Sequence, residues 1–115
     1  MTLGDIVSDV RNLVNDKDIP YRWETETILG FLRDAIVRLN NVRPASRYDD
    51  ATGLLRDIEW PDDLSLFELP ASYHRWVQAF VYYAASRCIE FDATDTVNQA
   101  LAVDFMSKAE ARFLV

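Results

Sequence analysis

The chain contains few of the residues that build disulfides, metal sites and linkers: its 115 residues include one cysteine, one histidine, three glycines and four prolines. A lone cysteine excludes an internal disulfide, which is typical of a protein made in a reducing compartment. One cysteine and one histidine also argue against a transition-metal site. So few glycines and prolines argue against flexible linkers, and the length predicts a single domain, residues 1–115, with its own core.

The chain also lacks long apolar runs and a basic surplus. No run approaches the roughly 20 apolar residues of a membrane span, so we expect no membrane partner. The start, Met-Thr-Leu-Gly-Asp-Ile, has neither the basic nor the apolar region of a secretion signal, which predicts synthesis in the cytoplasm. The net charge of −7 argues against a protein that tracks nucleic-acid backbones. It favours one that binds other proteins, mimics DNA or lines a passage to which DNA must not adhere.

Known catalytic signatures are missing as well, since the chain has no glycine-rich phosphate loop, serine nucleophile elbow or dinucleotide fingerprint. His74 stands alone, and a lone histidine on a helix is most often a structural residue. Cys88 follows it by fourteen positions, which is roughly 20 Å along a straight helix and too far for a catalytic pair. An inert core thiol fits Cys88 better. We therefore expect no enzyme and no cofactor.

Carboxylates gather mainly at the expected turns, where pairs of them could bind Ca²⁺ or Mg²⁺ in principle. None has the spacing of a calcium-binding loop, so we interpret them as solvated turns and expect no metal site. The residues concerned are Asp49, Asp50, Asp62, Asp63, Glu90, Asp92 and Asp95.

Four apolar patterns predict four helices. The clearest runs from Trp23 to Asn41, with apolar residues at helical spacing, Thr25 as its N-cap and Pro44 as its stop. The first helix covers Thr2 to Asn15, with Thr2 and Asp5 as a capping box. The third opens at Leu69-Pro70 and ends near Phe91, and the last covers 96–114, with Thr94 or Asp95 as its N-cap. The expected inward face of the last helix consists of Val97, Leu101, Phe105, Ala109 and Phe113.

The third helix is apolar on several sides, which is typical of a helix that is central in the fold or also faces another subunit. An excursion of about 44–69 precedes it, in which Leu64, Leu66 and Phe67 alternate as in a strand. We expect a short extended segment or β-hairpin there. The predicted fold is mainly α, a four-helix bundle-like domain in which helix one pairs antiparallel with two, and three with four.

Aromatic side chains supply the candidate interface residues, because such residues often anchor protein contacts. Tyr48, Trp60 and Phe67 are the better candidates because they lie on the excursion. Trp76 is a further candidate on the third helix.

The second helix combines a tryptophan, an N-cap region and an apolar run that ends in Asp-Ala. Here these are Trp23 and Ile28-Leu29-Gly30-Phe31-Leu32-Arg33-Asp34-Ala35. Leu69-Pro70, Tyr73-His74, an alanine-rich helix through Tyr82, Ala84 and Ala85, and a last helix around Phe105 complete the pattern. Over most of the chain except 43–69, this resembles the head-to-tail adaptor (connector) proteins of tailed bacteriophages. Thr27 and Arg33 depart from it, since glutamate and asparagine are common there.

The resemblance implies a structural virion protein of the neck, between capsid and tail. Its partners would be the portal protein, a downstream tail or nozzle protein and further copies of itself in a homo-oligomeric ring, a dodecamer. Genome DNA would pass through the lumen without specific binding, which the acidic charge suits, and the apolar third helix would suit ring contacts. The excursion and the C-terminal Phe113, Leu114 and Val115 would reach neighbouring rings. The alternative is a small acidic protein that inhibits or regulates a host factor, as a DNA mimic with carboxylates in rows on one convex face.

Overall fold

Four α-helices make up most of the part of the chain that the computed structural model describes, which is residues 1–16, 22–44, 48–49, 54–55, 58–91 and 96–114. The helices are α1 (Leu3–Leu13), α2 (Thr25–Val42), α3 (Val77–Phe91) and α4 (Thr96–Phe113). Short 3-10 helices cover Leu64–Leu66 and Ala71–Trp76. The prediction of a mainly helical chain with four helices is thus confirmed. None of the described helices is both long and apolar enough to cross a membrane.

The helix starts show how local chemistry sets the boundaries. The predicted capping box of α1 is present, since Thr2 and Asp5 bond each other's backbone N–H groups. The predicted N-cap of α2 is wrong by one residue, because the cap is Glu24, which makes no side-chain cap bond. The Thr25 hydroxyl instead accepts a hydrogen bond from Arg11 at 3.1 Å. The predicted caps Thr94 and Asp95 lie outside the described residues.

Helix α3 is the centre of the fold and packs against each of the other three helices. Its buried residues, which include Ala79, Phe80, Val81 and Ala85, spread over more than half of its circumference. The apolar surplus of α3 was predicted to reflect either a central place in the fold or contact with another subunit. Contact with the other helices of its own chain is enough to explain it.

Helices α3 and α4 run antiparallel, as predicted. The Ser86 hydroxyl donates to the carbonyl of Ala102 at 2.6 Å, while Phe80, further back on α3, meets Phe113, further on along α4, at 6.2 Å between ring centroids. Because α4 brings Ala102 against α3, Leu101 lies 39% exposed, and its predicted inward position is wrong. Phe105, Ala109 and Phe113 are buried as expected. The side chain of Val97 lies outside the described part.

The predicted strand character of Leu64 to Phe67 is not supported. Leu64–Leu66 form a 3-10 turn because the Asp63 carboxylate accepts hydrogen bonds from both the backbone N–H and the hydroxyl of Ser65, at 3.1 and 2.6 Å. Extended pairing occurs just afterwards, where residues 1–3 bond to residues 67–69. Earlier in the excursion, the backbones of Tyr48–Asp49 and Leu54–Leu55 form an antiparallel pair two residues long.

Gly30 offers a test of the packing of α2. A methyl group at Gly30 would meet nothing within 4 Å, whereas one at Gly4 would lie 3.0 Å from the carbonyl oxygen of Ser65. We expect Gly30→Ala to raise the free energy of unfolding by about 0.5–1 kcal/mol, because alanine loses less backbone entropy in a helix. Gly4→Ala should gain less or lose stability. Urea unfolding measures both, and a destabilised Gly30→Ala would contradict the open surroundings of this residue.

Candidate functional site

The residues with catalytic potential are dispersed. Within the described residues, no three His, Cys, Asp or Glu side chains lie close enough together to hold a metal ion. His74 is exposed, with its Nε2 3.2 Å from the carbonyl oxygen of Leu69. Cys88 is fully buried, and burial raises the pKa of its thiol to about 12. This places Cys88 among the core residues and leaves its sulfur a neutral thiol at physiological pH.

The turn carboxylates have local structural partners where they are described. Asp63 caps a 3-10 turn, and Glu90 lies 3.9 Å from Arg87. Asp62 is exposed. The side chains of Asp49, Asp50, Asp92 and Asp95 lie outside the described residues.

The candidate interface residues separate into buried and exposed groups. Trp76 and Phe113 are buried within the subunit, which removes both from the accessible surface. Trp60 and Phe67 are half-buried and pack on each other, with ring centroids 4.9 Å apart. Leu114, in contrast, is 68% exposed. The side chain of Tyr48 and all of Val115 lie outside the described part.

The sequence analysis also failed to identify two exposed apolar residues as interface candidates. Leu66 is 70% exposed on the 3-10 turn beside the Trp60–Phe67 pair, and Val103 is 66% exposed on α4. The helical pattern of α4 contained a signal for Val103, because this residue lies off the inward stripe.

An apolar groove of about 530 Å³ runs between α3 and α4. Ala102, Val103 and Met106 supply its apolar part, and Glu90 and Glu110 line it with carboxylates. Arg38 of α2 binds Glu110 with two hydrogen bonds of 3.1 and 3.2 Å, which ties α2 to α4 beside the groove. The groove thus combines apolar and charged groups in one concave surface.

A buried polar cluster ties the end of α1 to the start of α2. The Arg11 guanidinium donates to Asp16 at 2.7 Å, to the Trp23 carbonyl at 3.0 Å and to the Thr25 hydroxyl. The Asp16 carboxylate also accepts from the backbone N–H groups of Arg22 and Trp23, at 2.8 and 3.2 Å. Sequence reasoning missed this cluster. Each of these groups holds another part of the same subunit in place, and none faces an open site. The cluster therefore has a structural role.

No protein-family model, no curated protein and no solved structure matches the chain.

The buried Arg11–Asp16 pair predicts that removing one partner strongly lowers the free energy of unfolding. We expect Asp16→Ala to lower the free energy of unfolding by about 3–5 kcal/mol, because the Arg11 charge stays buried without its carboxylate. Asp34→Ala is the matched control, since Asp34 is 3.9 Å from Arg33 in an exposed pair and should change stability by less than about 1 kcal/mol. Urea unfolding of both variants checks this, and equal costs at the two sites would refute the role of the cluster.

The raised pKa of Cys88 predicts a pH-dependent contribution to stability. The folded chain holds the thiol neutral up to about pH 12, whereas the unfolded thiol ionises near 9. The stabilisation is therefore complete below the unfolded value and is lost as pH rises toward the folded one. We expect the stability difference between wild type and Cys88→Ala to shrink by about 1 kcal/mol from pH 8 to pH 10. Urea titrations at both pH values measure it, and a constant difference would contradict burial of the thiol.

Proposed function

We propose that this protein is a head-to-tail adaptor subunit of a tailed-phage virion, with no catalytic activity. The observation that carries the proposal is the run Ile28–Ala35, which resembles the adaptor motif and lies within α2. Ile28, Leu32 and Ala35 are fully buried. The run therefore packs into the core, which is the role expected of such a motif in a helical subunit.

The surface supports contacts with proteins at more than one place. Leu66 and Leu114 are large apolar side chains that remain exposed, one on a 3-10 turn and the other just beyond α4. Burying either side chain against a partner would remove apolar surface from water, which is favourable. In the proposed virion neck they contact the portal ring on one side and the downstream tail or nozzle protein on the other.

The charge also supports an adaptor. A net charge of −7 suits a ring of subunits whose lumen conducts genome DNA without retaining it. A DNA mimic would instead need rows of available carboxylates. Three described carboxylates are instead engaged in ion pairs, with Asp16 buried against Arg11, Glu110 on Arg38 and Asp104 on Lys108. The net charge is the observation that the inhibitor alternative shares with the adaptor.

Affinity capture from the native producing lysate tests the adaptor proposal. We expect the tagged chain to recover the portal protein in roughly equal amount, identified by mass spectrometry. One of the variants Leu66→Asp and Leu114→Asp should reduce this recovery about tenfold or more, because it places a charge in the apolar contact with the portal ring. The other should reduce recovery of the downstream tail or nozzle protein to a similar extent. Val37→Asp is the matched control, since it alters an exposed apolar residue on α2.

A second result would decide against the proposal. Recovery of a polymerase, nuclease or repressor without the portal protein would contradict an adaptor and favour the acidic inhibitor. Circular dichroism of each variant separates lost binding from lost folding.

A further inference from the structure

Helix α4 carries exposed apolar residues on two opposite flanks. Successive residues turn by about 100°, so Val103 and Glu110 lie on one flank while Leu101, Lys108 and Arg112 lie on the other. Val103 is 66% exposed and Leu101 is 39% exposed, although both belong to a helix whose inward face is already filled. Packing within one subunit therefore leaves apolar surface on both sides of α4.

The first flank is the α3–α4 groove, and its outward charge is negative. Val103 and Met106 supply apolar surface. Glu110 is held by Arg38, whereas the Glu90 side chain is 62% exposed and has Arg87 only at 3.9 Å. Glu90 is thus the carboxylate of this groove that is best placed to meet an incoming cation.

The opposite flank is aromatic and basic. Tyr82 of α3 packs on Phe105 with ring centroids 5.8 Å apart, and Lys108 and Arg112 lie 5.7 and 5.4 Å from the Tyr82 ring centroid. Lys108 is bound to Asp104 at 2.9 Å, whereas Arg112 is exposed and lies over the Tyr82 ring. Leu101 adds an exposed apolar side chain on the same flank.

We propose that the groove of one copy binds the Leu101–Arg112 flank of a second copy. The apolar side chains of the flank cover Val103 and Met106, and Arg112 pairs with Glu90. Because the two surfaces lie on opposite sides of one helix, the contact is heterologous, and each bound copy still offers a free surface for the next. This contact would build the ring of the proposed adaptor, so in that respect it rests on the proposed function.

Two single-surface variants test this contact by sedimentation velocity over a range of concentrations. Wild type should associate increasingly as its concentration rises. Val103→Lys, which sets a cation against the basic flank, and Arg112→Glu, which removes the pairing cation, should each raise the dissociation constant about tenfold or more. Glu90→Lys is a second groove variant, and Val37→Lys is the control at an exposed helical valine outside both surfaces.

Mixing the variants gives the sharper result. Val103→Lys retains an intact flank and Arg112→Glu an intact groove, so an equimolar mixture should regain association that neither has alone. A wild type that stays monomeric, a Val103→Lys chain that associates like wild type, or a mixture without rescue would each overturn the inference. Portal capture together with a monomeric isolated chain would overturn this contact and leave the adaptor proposal standing. Self-association without portal capture would overturn the adaptor proposal and leave this contact standing.

Discussion

The buried ion pair between Arg11 and Asp16 is the constraint that sets how the first two helices enter the fold. Two opposite charges removed from water are costly unless their remaining hydrogen-bonding groups find partners, and here they do. Arg11 reaches the Trp23 carbonyl and the Thr25 hydroxyl, while Asp16 accepts backbone N–H groups on the far side of the turn. The cluster thereby fixes the start of α2 and presents its apolar stripe to α3. An apolar contact has less directional preference and would fix the register of the two helices less sharply.

The helices could be predicted because their apolar residues recur with the helical period. In α2 the stripe formed by Ile28, Leu32, Ala35 and Leu39 is completely buried, as its spacing required. The failures occurred where a side-chain hydrogen bond decided the outcome. Thr25 is an adequate N-cap by composition, but Arg11 takes its hydroxyl, and only the tertiary fold brings the two together. At Leu64 the alternation suggested a strand, yet the Asp63 side chain bonds its own neighbours and closes a turn.

The candidate surface was harder to predict than the fold. Trp76 was chosen because aromatic residues often anchor interfaces, and Phe113 because it lies near the C-terminus. Both serve the core, because a chain of this size needs large apolar side chains inside. The exposed positions that matter most, Val103 and Leu66, are aliphatic and carry no compositional signal. Val103 could have been found from its place off the inward stripe of α4, whereas Leu66 became visible only when the 3-10 turn was known. Most of α3 is covered by the other helices of its own chain, whereas α4 has exposed apolar residues on two flanks, Leu101 on one and Val103 on the other.

The central place of α3 has a consequence for the chain as it leaves the ribosome. The first half of the protein presents the apolar stripes of α1 and α2 before their main packing partner, residues 77–91, has been synthesised. Tertiary packing supplies most of the stability of such helices, so the nascent first half cannot form a core of its own. It remains an exposed apolar segment until α3 emerges, and α4 then closes over α3. The fold is thus completed from its C-terminal half, and chaperones have their target in the N-terminal half during synthesis.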